Sequence, residues 1–485
     1  MVFSTHLFIF YFLPLVLLLN YVLPFRYLSL MLTLVSYVFY GWANPKWVLL
    51  MLFSSYVDYF CGLVLVKSSG LPLEDGRPAL LPKDQPRKRA QKIALAVSMT
   101  SNLAILGFFK YFDFFIQNVE TVARGLGLGD VAIQSLHVVL PVGVSFYTFQ
   151  SMSYAIDVYR GNARALRNPI DFQCFVSVFP QLIAGPIIRY QTVAEQIRQR
   201  GFSYEKFSRG VAFFSLGLAK KILLANPMGH VADCLFSAGG AHWYDAWYGL
   251  LAYAFQIYFD FSGYSDMAVG LGLMLGFVFM KNFDSPYLAD SITDFWRRWH
   301  ISLSTWLRDY LYVPLGGNRR GLSRTYVNLM LVMLLGGLWH GASWNFVIWG
   351  GIHGGMLAFE RTQGKDSAYR RLPPVLRIAI TFLTVCISWV FFRADTLADS
   401  WRYCRSLVGL VTVSEGAGAV AASVYTPYHV LVFLTCTVIV WSFPQAWRFT
   451  QRLTPLRAGI CLALFVASVL MLWTQTVNPF LYYQF

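Results

Sequence analysis

Two histidines sit where proton chemistry can be done. His340 lies in GGLWHGASWNFVIWGGIHGG, residues 336–355, an apolar stretch crowded with glycine and tryptophan. An imidazole, with a reference pKa of about 6.5, can stay neutral in such surroundings and still take and return a proton near neutral pH. Activating a hydroxyl for attack on a thioester needs a base of that kind, shielded from water. His353 competes for the role, but a lone histidine on a glycine-rich helix reads as packing, and His6, His137, His230, His242 and His429 have no comparable setting. The second candidate, His300, lies in the densest polar run of the chain, SITDFWRRWHISLSTWLRDYLYVPLGGNRRGLSR at 291–324. On a helical wheel over 294–312, His300 shares an apolar stripe with Trp296, Trp299, Leu303, Trp306, Leu307 and Tyr310, while Arg297, Arg298, Thr305, Arg308 and Asp309 fall elsewhere. A hydrogen-bonded core histidine is the ordinary reading of His300, and loop charge that sets membrane orientation is the ordinary reading of the arginines. The same arginines are also suited to the phosphates of a coenzyme A-type donor.

The elements that must position these groups belong to a membrane protein. Of 485 residues, 56% are apolar and 17% aromatic, while 13% are charged, about half the roughly 25% of a soluble globular protein. A single soluble enzyme domain and a disordered chain are both excluded. Apolar stretches near bilayer length occur at 6–24, 27–42, 47–66, 93–109, 138–158, 209–226, 247–279, 326–340, 344–359, 376–392, 428–443 and 458–474, which predicts about ten to thirteen crossings. The fold class expected is therefore an all-α polytopic membrane protein with added re-entrant or interfacial helices. With 39 Lys+Arg against 24 Asp+Glu the net charge is +15, and the excess sits in short loops between apolar runs, as orientation by positive charge requires and nucleic-acid binding does not. The basic loop 67–92 is expected in the cytoplasm, with the N-terminus outside. No basic n-region or cleavage site accompanies the first apolar run, which is read as a retained anchor. Counted from Arg324, a helix reaching His340 rises about 24 Å, deep into the bilayer.

Several local features carry further expectations. Pro180, Gly185 and Pro186 interrupt the apolar segment 172–188 between two basic loops, which suggests a re-entrant hairpin, with a kinked span beside a loop that breaks the charge rule as the rival reading. Gly337 with Gly341, Gly350 with Gly354 and Gly351 with Gly355 have the small-xxx-small spacing that lets helices approach closely. Acidic residues inside apolar runs are few, Asp58, Asp157, Asp260 and Asp266, and the stretch 260–266 with Gly263 is expected to bend 247–279 into two spans, its polar groups either lining a substrate path or capping the broken helix. The glycines at 125–129 lack a P-loop lysine and read as a turn. Seven cysteines are scattered singly, so neither a disulfide framework nor a metal site is indicated.

DFWRRWHISLSTWLRDYLYVPLGGNRRG, followed forty residues after its histidine by LLGGLWHGASWNFVIWGGIHG, resembles the membrane-bound O-acyltransferase family, in the branch that serves alginate O-acetylation and teichoic-acid D-alanylation. MVFSTHLFIFYFLPL, LPVGVSFYTFQSMSYAIDVYRG, FPQLIAGPIIRY, QIYFDFSGYSDMAVGLGLMLGF and the ending NPFLYYQF extend the likeness over nearly the whole chain, as one domain over 1–485 with its core motifs at 291–360. The loop at 447–457 is shorter than in the alginate type, so alginate and cellulose both stay open as the polymer. The resemblance implies helices around a central tunnel, His340 at the family's essential tunnel position and His300 at its second motif position. Arg297, Arg298, Trp299, Arg308, Asp309, Asn318 and Trp339 fall in the matching motifs as donor-binding or tunnel residues. It further implies an inner-membrane acetyltransferase subunit with no bound cofactor or metal, acetyl-CoA as the acyl donor, and a periplasmic acetyltransferase partner acting on an exopolysaccharide beside its synthase. A transporter and a non-catalytic scaffold are the alternatives, and neither accounts for the two histidine motifs.

Overall fold

The computed structural model describes residues 1–485 except 75, 129–135, 137, 365–366, 476–479 and 482–485. His137, Gly129 of the expected turn and most of the 478–485 ending lie outside the described residues. Among those described, the regular elements are helices, and the only strand-like contact is an isolated bridge between Glu74 and Arg77. Among the described residues, six helices are long and apolar enough to cross a membrane: Lys46–Lys67, Arg89–Gly125, Tyr204–Phe236, Leu322–His340, Pro374–Arg393 and Pro455–Leu472. A seventh span arises if Ala417–Val424 and Pro427–Ser442, bent by 65°, are counted together. The larger number of crossings expected from hydropathy included stretches that form helices of only 17 residues, Phe25–Gly41 and Val144–Arg160, at the lower limit of bilayer length.

The chain divides into two compact units. The first comprises Met1–Phe207 with Leu271–Phe279. Its interior holds an aromatic cluster of Phe3, Phe8, Phe39 and Phe179 together with buried polar groups. Along Lys46–Lys67, Leu49, Phe53 and Phe60 are exposed while Ser54, Ser55 and Asp58 are buried. The Asp58 carboxylate accepts from Ser98 Oγ at 2.5 Å and from Asn102 Nδ2 at 2.8 and 2.9 Å, which satisfies it inside the helix packing where water is excluded. Residues 172–188 are buried throughout and form two short helices, Pro169–Ser177 and Phe179–Leu182. Asn168 caps the first through Ile170 N, and Ser36 Oγ takes the amide of Phe179 at the break between them.

The second unit comprises Ser208–Gly270 with Met280–Phe485 and holds both candidate histidines. The bend expected at 260–266 is absent, because Trp243–Met274 is one unbroken helix of 32 residues. Gly263 serves close packing instead of a break: a Cβ there would lie 2.7 Å from the Gly217 carbonyl, and one at Gly217 would lie 2.5 Å from the Gly263 carbonyl. Gly210 and Gly270 repeat that approach seven residues away along each helix. The acidic residues that suggested a bend are neutralised in place, Asp260 by Lys221 and Asp266 by Lys220, each at 2.6 Å.

Leu322–His340 and Trp344–Gln363 form the tightest helix pair. Beside them runs Pro374–Arg393. A Cβ at Gly337 would meet the Phe346 carbonyl at 2.2 Å, and one at Gly350 the Met333 carbonyl at 2.4 Å. Gly354 also faces this interface, while Gly351 and Gly355 point into looser space and Gly341 lies against the Phe346 ring just past the helix end. The small-xxx-small spacing thus found the interface, but only some of its members form it.

Candidate active site

Residues 294–312 do not form the single amphipathic helix that the wheel assumed. Ile292–Arg298 ends at Trp299, His300 adopts φ +44° and ψ +54°, and a second helix runs Ile301–Leu307 into a π-helical turn, Arg308–Tyr312. A left-handed conformation costs a residue bearing a Cβ about 1–3 kcal/mol and persists only where neighbours over-determine it. Here the neighbour is the segment 282–284. Asp284 N donates to the Arg298 carbonyl and Ile301 N to the Asn282 carbonyl, both at 2.9 Å, so the backbone groups freed by the break are satisfied.

The Asn282 side chain then fixes His300. Its Nδ2 donates to Ser265 Oγ at 2.8 Å, which leaves Oδ1 as acceptor for Ser302 N at 3.2 Å, Ser302 Oγ at 2.9 Å and His300 Nδ1 at 3.2 Å. This network assigns the His300 proton to Nδ1 and the lone pair to Nε2. The ring is fully buried, 4.6 Å from the Phe261 ring and 6.2 Å from that of Trp339. Burial, and after it the nearness of the His340 imidazole, which disfavours protonating both rings together, hold this imidazole well below its ordinary pKa. It is neutral at physiological pH.

His340 is the last residue of its helix. Its Nδ1 donates to the Gly336 carbonyl one turn earlier, at 2.7 Å, so Nε2 again carries the lone pair. Trp339, Trp349 and Phe392 stand edge-on around the ring at 4.9, 5.0 and 5.4 Å. His340 opens on a narrow cavity that it lines with Ile257, Phe261, Trp299, Trp389, Phe392 and Leu481. The imidazole is the ionisable group of that lining. An imidazole nitrogen facing an otherwise apolar cavity can accept a hydroxyl proton where water competes poorly.

The structure separates the remaining sequence candidates. Trp299 and Trp339 join the two histidines, both buried. Arg298 turns back to Asp294 at 2.7 Å, and Arg308 pairs with its neighbour Asp309 at 2.7 Å on the surface. Asn318 is exposed in the turn before Leu322–His340. Arg297 faces a wide cavity at the opposite end of the helix pair from His340, lined also by Glu360, Arg361, Tyr369, Arg370 and Arg377. The acidic groups there are engaged: Glu360 accepts from Ile292 N, Thr293 N and Thr293 Oγ1, and Asp290 pairs with Arg377 at 3.0 Å. Arg297, Arg361 and Arg370 make no ion pair among the described residues. His353 accepts from Trp296 Nε1 at 3.3 Å and meets Ser388 Oγ at 3.1 Å, in keeping with a packing role. No group of three metal-ligating side chains occurs among the described residues.

Sequence reasoning missed Asn282, Ser302 and Lys221. For Asn282 and Ser302 the single chain carries no signal, since each is an ordinary polar residue near a turn. Lys221 was findable, because two lysines within the apolar run 209–226 require buried counter-charges, and Asp260 and Asp266 are the candidates.

A family model described as MBOAT, membrane-bound O-acyltransferase family, matches residues 162–394. The chain is 43% identical to the probable alginate O-acetylase of Pseudomonas putida over the full length of both. It is 37% identical to the peptidoglycan O-acetyltransferase of Helicobacter pylori, covering 85% of this chain and 81% of that one. Similarity to the teichoic acid D-alanyltransferase of Streptococcus thermophilus is 30% identity over 54% of this chain and 69% of that one.

Proposed function

The chain belongs to the membrane-bound O-acyltransferase family and is a multi-pass membrane O-acyltransferase, and from that premise we propose that it passes an acetyl group from acetyl-CoA in the cytoplasm through the bacterial inner membrane for O-acetylation of an exopolysaccharide. The observation that carries the reading is the fixed tautomer of His340 at an apolar cavity. Nε2 takes the proton of an acceptor hydroxyl as its oxygen attacks the thioester carbonyl. The carbon–sulfur bond then breaks, and the imidazolium returns the proton to the departing thiolate, so the histidine ends as it began. His300, neutral and with its Nδ1 proton committed to Asn282, accepts a hydrogen bond through Nε2 and so orients a donor or acceptor O–H or S–H group.

Donor capture is assigned to the cavity at the other end of the helix pair. Arg297, Arg361 and Arg370 there supply positive charge for the phosphates of coenzyme A. Arg319, Arg320, Arg324 and Arg371 fall at the same end of these helices, which supports a cytoplasmic placement by the positive-inside rule. The relatives named for alginate and peptidoglycan acetylation support a saccharide as the final acceptor, delivered through a periplasmic acetyltransferase partner and near the polymer's synthase. Purified protein in liposomes, given labelled acetyl-CoA on one face and an oligosaccharide with the periplasmic partner on the other, tests this. Label in the saccharide is expected. Thioester turnover that never labels a hydroxyl acceptor on the far side contradicts it.

A further inference from the structure

One wall of the His340 cavity comes from the far end of the sequence. Leu481 lines it, although its neighbours in that lining come from helices far earlier in the chain. What holds Leu481 there is a buried ion pair. Lys221 Nζ lies 2.6 Å from Asp260 Oδ1, with both side chains at least 96% buried, and the other oxygen, Asp260 Oδ2, accepts the Leu481 backbone amide at 2.9 Å. The preceding residue, Phe480, is seated by the same groups: its ring stacks on Tyr264 at 4.5 Å, with the Lys221 ammonium 5.9 Å from its centre. Lys221 lies in the π-helical turn Lys220–Ala225, an irregularity often found where a helix serves a site.

A buried ion pair adds little stability of its own, because desolvation consumes most of its attraction, and well-packed apolar residues commonly replace it at no cost. A role other than stability is therefore the economical account of this pair. We propose that Lys221 and Asp260 are positioning residues that form a latch, pinning Leu481 by its amide so that the Leu481 side chain closes the His340 cavity against water. The inference rests on the acyl-transfer reading given above. With the latch in place the acyl donor is protected from hydrolysis, and without it water reaches the thioester.

The test replaces both charges together, Lys221→Met with Asp260→Leu, which removes the acceptor for the Leu481 amide without stranding a charge. Hydrogen exchange at Leu481, read by mass spectrometry with no substrate present, should quicken about tenfold or more. Hydrolysis of acetyl-CoA in the absence of acceptor should rise about tenfold while the melting temperature holds. A second variant, Leu481→Ala, keeps the amide bond but thins the wall, so hydrolysis should rise with exchange at 481 unchanged. Wild-type exchange in the double variant, or wild-type hydrolysis in Leu481→Ala, overturns the latch. Because exchange is read without substrate, failure of the latch is distinguishable from failure of the acyl-transfer reading.

Discussion

His300 and His340 each have their Nδ1 proton placed by a hydrogen bond, but by partners at very different distances along the chain. His340 gives its Nδ1 proton to a carbonyl of its own helix, which any histidine at a helix end can do, and its setting was therefore legible from the apolar, glycine-rich sequence around it. His300 depends on Asn282, eighteen residues earlier, both for its tautomer and for its left-handed backbone. Nothing in the local pattern marks that dependence, because a helical wheel assumes the continuity that Asn282 interrupts. Asn282→Ala removes the acceptor for Ser302 N, Ser302 Oγ and His300 Nδ1 at once, and should free the His300 ring to turn while the main-chain bonds of 282 and 284 remain. Acyl transfer is expected to fall about tenfold or more from loss of orientation alone, with donor KM little changed. Steady-state kinetics on the folded variant check this, and an unchanged kcat would show that His300 needs no such support.

Among the elements, the helix pair that ends in His340 was the most legible, and glycine was the signal. Which glycines matter is settled by facing direction, which spacing alone does not give. Gly350→Ala would push a methyl to within 2.4 Å of the Met333 carbonyl, whereas Gly351→Ala meets only Leu334 Cδ2 at 3.8 Å. The first should lower stability by about 1–3 kcal/mol through overpacking and reduce transfer by shifting His340. The second should be neutral. Thermal melting of the two variants side by side decides it, and equal melting points would contradict the interface. The long helix Trp243–Met274 shows the opposite lesson. Gly263 with two aspartates resembles a bend when read locally, yet the glycine is there for a neighbouring helix and the aspartates for two lysines. These are long-range partners, beyond what one segment of sequence can disclose.

At the scale of the whole molecule, composition and loop charge established an all-helical membrane protein before any element was placed, since 13% charged residues leave no other solvent for so long a chain. What they left open was which basic residues do more than orient it. The structure distinguishes Arg298 and Arg308, each committed to a carboxylate, from Arg297 and Arg370, which face the wide cavity. Changing Arg297 and Arg370 to Ala together should raise the KM for acetyl-CoA about three- to tenfold and leave kcat nearly intact, as loss of uniform binding does. The same pair of changes at Arg298 and Arg308 should do less. If instead kcat falls and KM stays, the cavity does not receive the donor. Transfer from the donor cavity to the far side depends, in the proposed function, on His340 as the base. Labelled acetyl transfer by wild-type protein and by His340→Ala, both folded in liposomes, is the most direct test. A loss of about 10²- to 10⁴-fold is expected for removal of a general base, and transfer that persists at the wild-type rate would contradict it.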